Sequence, residues 1–324
     1  MRINNVARSL VIVSLGLMVS TGAHAQAWPS KPIRLVSPWA PGGPAEALAR
    51  VVTTKMSEAL GQPFVIDSRG GANGTIGAAI VAKAAPDGYT VLFSHLGPMA
   101  IAPALMKEIP YDSERDFEPV TQVVSGPTLL VVRNDVPARN LKELIDHAKA
   151  NPGKLAYGSV GIGSTTHLAG EMLSLSAGLD LVHVPYKGST PILVDMMGGQ
   201  IALAFIGISG VIQQAQAGKV RALAISTLQR SPNFPDIPAV SETVPGFELN
   251  SWYGIMVPSG TPRVIVSRLH HETTMALKKP DVLEWLKQNG LDPRGTSPEE
   301  HAIYLKAELA KWAGIVKAAK VRTE

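Results

Sequence analysis

The sequence of 324 residues contains no cysteine. Disulfide bonds, thiolate zinc sites, cysteine nucleophiles and iron–sulfur clusters are therefore excluded. Aromatic residues make up only 5% of the chain and charged residues only 17%. The formal net charge of +4 comes without a dense block of Lys and Arg, which gives no electrostatic basis for binding nucleic acid. So few aromatic side chains also argue against a base-stacking surface.

Long apolar runs are scarce as well. The run from Leu10 to Val19 is too short to span a membrane, which takes roughly 20 apolar residues. Arg2 and Arg8 precede this run and give the segment a positively charged start. Ala23-His24-Ala25 follows it and supplies a small-x-small cleavage pattern. Residues 1–25 are therefore predicted to be a secretory signal peptide cleaved after Ala25. The alternative is an uncleaved membrane anchor.

The remaining chain alternates short β-branched runs with helical patterns, and helices dominate after Pro258. Such alternation predicts an α/β protein with parallel sheets covered by helices on both faces. No internal repeat and no flexible linker is visible, so we expect two α/β lobes joined by crossover segments that act as hinges. The predicted strands are Ile33–Val36, Phe64–Asp67, Val91–Ser94, Leu129–Val132, Leu181–Val184, Ile201–Ile206, Val220–Ile225 and Trp252–Val257.

A first glycine-rich segment, from Ser37 to Ala45, leaves a strand and enters a helix. Glycine lets backbone N–H groups approach a ligand, and a helix N-terminus favours an anion. The segment is neither a P-loop nor a dinucleotide fingerprint, because the residues that complete those motifs are absent. The alternative is an ordinary turn between strand and helix.

A second such segment runs from Tyr157 to His167 and clusters glycines with hydroxyl residues at a helix start. Free N–H groups and hydroxyls there form a neutral nest for a carboxylate. Two alternatives remain open: helix capping by Ser164 or Thr165, and a serine nucleophile. The nucleophile elbow G-x-S-x-G is not met, since position 157 is Tyr. His167 is expected to be a hydrogen-bonding side chain rather than a catalytic base.

Several motifs resemble the Bug-type, TctC-like receptors of tripartite tricarboxylate transporters. Their order and spacing match nearly from end to end of the mature chain. They are Trp39 to Gly43, Ala49-Arg50, Arg69 to Gly77, Ala82 to Thr90, Ile109 to Asp112, Gly158-Ser159, Leu168 to Glu171, Val184 to Gly188, Gly198 to Gln200, Arg221 to Ala224, Pro235 to Pro238 and Ser251 to Gly254.

The resemblance implies an α/β fold similar to that of type II periplasmic binding proteins. Each of its two lobes would contain a mainly parallel sheet covered by helices. We expect residues 26–125 and 250–324 to form lobe 1 and residues 126–249 to form lobe 2, with hinges near Gln122–Thr128 and Phe247–Tyr253. Closure of the lobes would bury a ligand in the cleft between them.

The function implied is that of a periplasmic, non-enzymatic receptor for a mono- or dicarboxylate, including amino-acid and aromatic acids. Its partners would be the membrane permease subunits of such a transporter, or a sensor kinase. We expect a monomer that needs no metal or cofactor. The expected ligand-binding residues are Trp39, Ala40, Gly42 and Gly43 in the first loop and Gly161, Gly163, Ser164, Thr165, Thr166 and His167 in the second.

Two departures from the family pattern affect ligand choice. Glu46 stands where the family usually has Asp, and it is expected to contact the pocket or to pair with Arg50 at i+4. The run to Gly207 lacks the acid that the family often places after that strand. The rival function is an exported serine hydrolase that uses Ser164 or Ser159 with His167.

Overall fold

The computed structural model describes residues 28–39 and 41–319. The predicted signal peptide and Ala40 therefore lie outside the described residues. The strands are β1 Ile33–Ser37, β2 Phe64–Ser68, β3 Thr90–His95, β4 Phe117–Val132, β5 Ala156–Ser159, β6 Val182–Pro185, β7 Leu203–Gly207, β8 Arg221–Ile225, β9 Asn250–Pro258 and β10 Asp292–Pro293. The α-helices are α1 Pro44–Leu60, α2 Thr75–Ala82, α3 Ala102–Leu105, α4 Leu141–Ala150, α5 Thr165–Ala177, α6 Ser189–Met197, α7 Ile208–Gln216, α8 Arg263–Leu277, α9 Pro280–Gln288 and α10 Pro298–Ala319.

The strands form a continuous path in the order β2-β1-β3-β9-β4-β7-β5-β6, with β8 and β10 also paired to β4. Strands β1, β2 and β3 are mutually parallel, and so are β5, β6 and β7. The carboxyl ends of each parallel group therefore share one edge. Here, lobe 1 means the half built on β1, β2, β3, β9 and the first part of β4, and lobe 2 means the half built on β5 to β8 and the last part of β4.

The long strand β4 joins the two halves. Phe117 to Pro127 pairs antiparallel with β9, and from Thr128 onward β4 pairs with β7 and β8 instead. The sequence predicted only Leu129–Val132 as a strand here. Pro119, Gly126 and Pro127 interrupt the hydrophobic pattern, and the pairing with β9 shifts register next to Pro119 because proline has no N–H to donate.

Helices cover both faces of the sheet, and each face carries an apolar core that includes residues from both lobes. In α1, Leu48, Val52 and Met56 recur every four residues and are fully or almost fully buried. Pro44 begins this helix where its missing N–H costs nothing. Gly61, at φ 69°, ends it in the left-handed conformation that glycine adopts freely.

Helix α10 begins with a capping box. Ser297 Oγ accepts from Glu300 N at 3.1 Å, and Glu300 Oε2 accepts from Ser297 N at 2.8 Å. The helix packs on β4 and α3 as well as on α5 of lobe 2, so it bridges the two halves. Among the described residues, no helix combines the length and the apolar character needed to cross a bilayer. The architecture is a two-lobed α/β fold.

Candidate functional site

The second glycine loop follows β5 and leads into α5. Ser164 is the N-cap of α5, and its Oγ accepts from His167 N at 3.2 Å. Thr166 Oγ1 accepts from Val160 N at 2.9 Å and lies 3.1 Å from Ser164 Oγ. Of the three hydroxyls at residues 164–166, two therefore hold the loop itself. Thr165 Oγ1 is buried and has no hydrogen-bond partner among the described residues.

His167 braces this loop, because Gly163 N donates to its Nδ1 at 3.0 Å. Burial lowers the pKa of His167 to about 4, so the ring is neutral at pH 7 and carries its proton on Nε2. Nε2 lies 3.9 Å from Glu171 Oε1. That carboxylate also accepts from Tyr157 Oη at 2.6 Å, which fixes its position.

A second histidine, His183 on β6, stacks on His167 with ring centroids 3.9 Å apart. Burial and the neighbouring His167 lower the pKa of His183 to about 4. Its Nε2 lies 2.7 Å from Ser159 Oγ, at the end of β5. Ser159 Oγ also accepts from Gly161 N at 3.2 Å. The loop therefore rests on a neutral layer of histidine and tyrosine side chains.

The first glycine loop, after β1, holds a carboxylate of its own. Glu46 Oε2 accepts from Gly42 N at 2.9 Å, and Glu46 Oε1 accepts from Arg50 Nη2 at 2.6 Å. The backbone N–H of Gly42 and the Arg50 guanidinium lower the pKa of Glu46, which keeps it ionised. The pairing of Glu46 with Arg50 expected from the sequence is therefore present, and Glu46 also bonds to the glycine loop through Gly42 N. Its contact with a ligand pocket stays a prediction.

Trp39 in the same loop packs edge-on against His95 at the end of β3, with centroids 5.1 Å apart. Gly97 N donates to His95 Nδ1 at 3.1 Å, and burial lowers the pKa of His95 to about 3. A neutral ring whose Nδ1 accepts carries its proton on Nε2. Nε2 therefore donates to Ser251 Oγ, 2.8 Å away, and the hydroxyl proton of Ser251 stays free to donate elsewhere.

A hydrogen bond joins the second glycine loop to lobe 1. Asn73, in the turn between β2 and α2, donates from Nδ2 to the carbonyl oxygen of Gly163 at 2.7 Å. Because Asn73 follows a lobe 1 strand and Gly163 follows a lobe 2 strand, this hydrogen bond brings the carboxyl edges of the two sheets together. Ligands of open α/β sheets bind at such edges.

Several buried polar atoms in and beside this region have no hydrogen-bond partner in the described part of the chain. They belong to the end of β1 and the loop after it, the turn after β2, the start of α5 and the two strands that cross between lobes. They are Ser37 Oγ, Trp39 Nε1, Asn73 Oδ1, Thr128 Oγ1, Thr165 Oγ1 and Asn250 Oδ1. Buried polar atoms are nearly always paired, so each of these atoms is available to hydrogen-bond a polar group of a solute.

Of the residues expected to bind ligand, the structure describes all except Ala40. It brings Gly161, Gly163, Ser164, Thr165 and Thr166 into one loop with His167 beneath it. Trp39, Gly42 and Gly43 lie in the other loop, at the carboxyl edge of lobe 1. Their contact with a ligand remains a prediction.

The serine–histidine pairing differs from the one weighed in the sequence. Ser159 meets His183 rather than His167, and its side chain is fully buried. The hydroxyl of Ser164 is the helix cap. Neither serine presents an exposed hydroxyl backed by a histidine, which a nucleophile requires.

Two open depressions lie away from the glycine loops. One, of about 650 Å³, is lined by residues around α3 and the segment before β4, among them Lys107 and Tyr111. The other, of about 370 Å³, lies between α7 and α9 and includes Phe234 and Lys287. Neither contains a residue of the two loops.

Comparison with known proteins decides the family. The family model described as "Tripartite tricarboxylate transporter family receptor" (TctC) matches residues 48–321. The chain belongs to this receptor family. Family members and structural neighbours are solute-binding receptors, so this receptor is not an enzyme, and the alternative of a serine hydrolase is wrong.

Solved structures support the same assignment. The periplasmic binding protein BugD is 37% identical and superposes with a TM-score of 0.86. The superposition covers 92% of this chain and 100% of BugD. Rpa4515 of R. palustris, solved with adipate, is 35% identical, with a TM-score of 0.87 over 91% of this chain and 99% of its own. MatC of Rhodopseudomonas palustris, with bound malate, is 33% identical, with a TM-score of 0.83 over 89% and 100%.

Sequence reasoning did not single out four residues that support the two glycine loops and their surroundings, namely His95, His183, Ser251 and Asn73. His95 ends a strand whose carboxyl edge faces the other lobe, and that position alone could have marked it. Ser251 lies at the start of the returning strand β9. His183 and Asn73 could not be found this way, because their partners Ser159 and Gly163 are distant in sequence.

Proposed function

We propose that this receptor captures a small carboxylate-bearing solute between the two glycine loops, in the periplasm, and delivers it to the membrane permease of a tripartite tricarboxylate transporter. The observation that carries the proposal is the set of buried polar atoms in both lobes that have no hydrogen-bond partner among the described residues, with Thr165 Oγ1 in lobe 2 and Trp39 Nε1 in lobe 1. A solute carboxylate can accept hydrogen bonds from such hydroxyl and indole donors.

The charge distribution supports binding through neutral donors. Acidic residues near the site already have partners within the chain: Glu46 binds Arg50, and Asp195 accepts from Tyr186 Oη at 2.7 Å. Lys187 follows shortly after the end of β6 and is exposed. Strand β6 pairs with β5, the strand from which the second loop leads. We therefore expect Lys187 to be the one basic side chain whose loss weakens capture.

Capture would proceed by closure of the lobes about the crossover segments of β4 and β9. These cross where Gly126 and Pro127 of β4 pair with Ser251 and Asn250 of β9. Contacts made only in the closed form drive such a population shift. The carboxylate ligands of Rpa4515 and MatC, adipate and malate, are the natural first probes.

The test is calorimetric titration of the exported, mature protein with a panel of mono- and dicarboxylates that includes adipate and malate. We expect reversible binding of at least one carboxylate, without turnover, and compaction in small-angle scattering on saturation. An alanine scan of basic residues should spare binding except at Lys187→Ala. Failure of the whole panel to bind, or loss of binding at another single basic residue, would refute capture by neutral donors.

A further inference from the structure

The motif from Arg69 to Gly77 carries part of the family resemblance, and its Asn73 makes the hydrogen bond that joins the two lobes. Its centre has an unusual backbone, since Gly71, Ala72, Asn73 and Gly74 have φ angles of 126°, 46°, 53° and 87°. Four consecutive residues with positive φ are rare, and two of these are not glycine. Backbone of this kind persists only where its surroundings enforce it, and it clusters at functional sites.

The surroundings enforce it here from one side. A Cβ added at Gly74 would lie 3.1 Å from side-chain atoms of both Pro38 and Pro98, so the turn is held closely against lobe 1. The conformation of this turn fixes the direction of the Asn73 side chain. That side chain leaves lobe 1 and donates to Gly163 O of lobe 2 at 2.7 Å.

The amide of Asn73 fits between glycines of both lobes. A Cβ at Gly97 in lobe 1 would lie 2.9 Å from Asn73 Oδ1. On the other side, a Cβ at Gly163 would lie 3.9 Å from Asn73 Nδ2 and 2.4 Å from Leu105 Cδ2 of lobe 1. The second glycine loop therefore meets lobe 1 directly at this point, through Leu105 and Asn73.

We propose that Asn73 is a latch between the lobes, whose hydrogen bond to Gly163 sets the fraction of closed molecules. This inference rests on the proposed capture by lobe closure. The bond breaks when the lobes separate and involves no solute atom, so it favours the closed form by the same factor for every solute. A single hydrogen bond of this kind changes the ratio of closed to open molecules by about twofold to tenfold.

Two variants separate the latch from a merely structural turn. Asn73→Asp keeps the size of the side chain and its tolerance of positive φ but turns a carboxylate oxygen toward the Gly163 carbonyl. Asn73→Gly removes the side chain and suits the same φ. The matched control is Asn134→Asp, because Asn134 Nδ2 donates to Gly218 O at 2.8 Å entirely within lobe 2.

The absence of cysteine allows two spin labels to be placed without background. Lys83→Cys in lobe 1 and Thr190→Cys in lobe 2 are both at exposed positions. Pulsed electron paramagnetic resonance then measures the distribution of distances between lobes, first without solute and then with adipate or malate. Thermal unfolding of each variant provides a readout of folding alone.

We expect a closed population in the parent and in Asn134→Asp without solute, and a twofold to tenfold lower ratio of closed to open molecules in both Asn73 variants. The solute concentration for half closure should rise by the same factor. Identical distributions in the parent and the Asn73 variants, or a parent with no closed population before solute is added, would overturn the latch. If solutes never close the parent while the Asn73 variants still differ from it, the proposed capture fails and the latch stands.

Discussion

Thr165 offers the sharpest test of how this receptor holds a carboxylate. The variant Thr165→Val keeps the branched shape of the side chain and removes only its hydroxyl. Thr165 Oγ1 is buried without a partner in the described part of the chain, so the change breaks no hydrogen bond within the protein. Any effect on affinity therefore reports on the solute.

The expected magnitude follows from the charge of the solute. A hydrogen bond to a charged group contributes about 1.5–3 kcal/mol, and each 1.4 kcal/mol changes the dissociation constant about tenfold. We expect Thr165→Val to weaken binding of the captured carboxylate at least tenfold. The free energy of unfolding without solute should stay the same or rise slightly, since an unpaired hydroxyl leaves a buried position.

The neighbouring hydroxyls provide the controls. Ser164→Ala removes the N-cap of α5, and Thr166→Val removes the acceptor for Val160 N, so both should destabilise the fold by about 0.5–2 kcal/mol. Calorimetric titration gives the affinities, and urea unfolding gives the stabilities. If Thr165→Val binds the carboxylate with the parent's affinity, the hydroxyl does not contact the solute and the reasoning is refuted.

Two further predictions concern the second loop and its surroundings. Gly163→Ala should impair lobe closure and solute affinity more than Gly178→Ala, as measured by interlobe distances and calorimetry. Both positions have positive φ, but of the two only Gly163 would place a Cβ against a side chain of lobe 1, at 2.4 Å. Equal effects of the two variants would contradict this prediction. The free energy of unfolding should fall as the pH drops from about 6.5 toward 4. Burial lowers the histidine pKa from its ordinary 6.5 to about 3 in His95 and to about 4 in His167 and His183. In this pH range the unfolded chain therefore binds protons that the folded chain does not bind. Urea unfolding at pH 7.5 and pH 5 measures this loss, which should reach up to about 2 kcal/mol for a fully buried histidine and should shrink in His183→Gln; a pH-independent midpoint would count against neutral buried rings.

The fold and the two loops could be predicted because their signals are local. Alternating strand and helix patterns, the signature of a helix start at Ser164 and the glycines between them all lie within a few residues of one another. The sequence left open whether Ser164 caps α5, and in the structure it does. Its contact with a ligand stays a prediction. The Thr166 hydroxyl likewise bonds within the loop, because the loop curves back and brings Val160 N to it.

The parts that escaped prediction depend on distant residues. The bond between Asn73 and Gly163 joins positions 90 apart, and the contact of Ser159 with His183 joins positions 24 apart. No periodic pattern encodes such pairs, because each requires the packing of two lobes or two parallel strands. The length of β4 was missed for a related reason, since its prolines are tolerated only through irregular pairing with β9.

Glu46 makes the first glycine loop electrically different from the second. Its carboxylate already occupies the Gly42 N–H at the start of α1, where an incoming anion would otherwise gain most from the helix dipole. A second carboxylate arriving there meets like charge, whereas the start of α5 has no acidic residue in its first turn. We therefore expect a solute with one acid group to bind with its anionic end toward the start of α5 in lobe 2 and its uncharged end toward the Glu46 side of lobe 1.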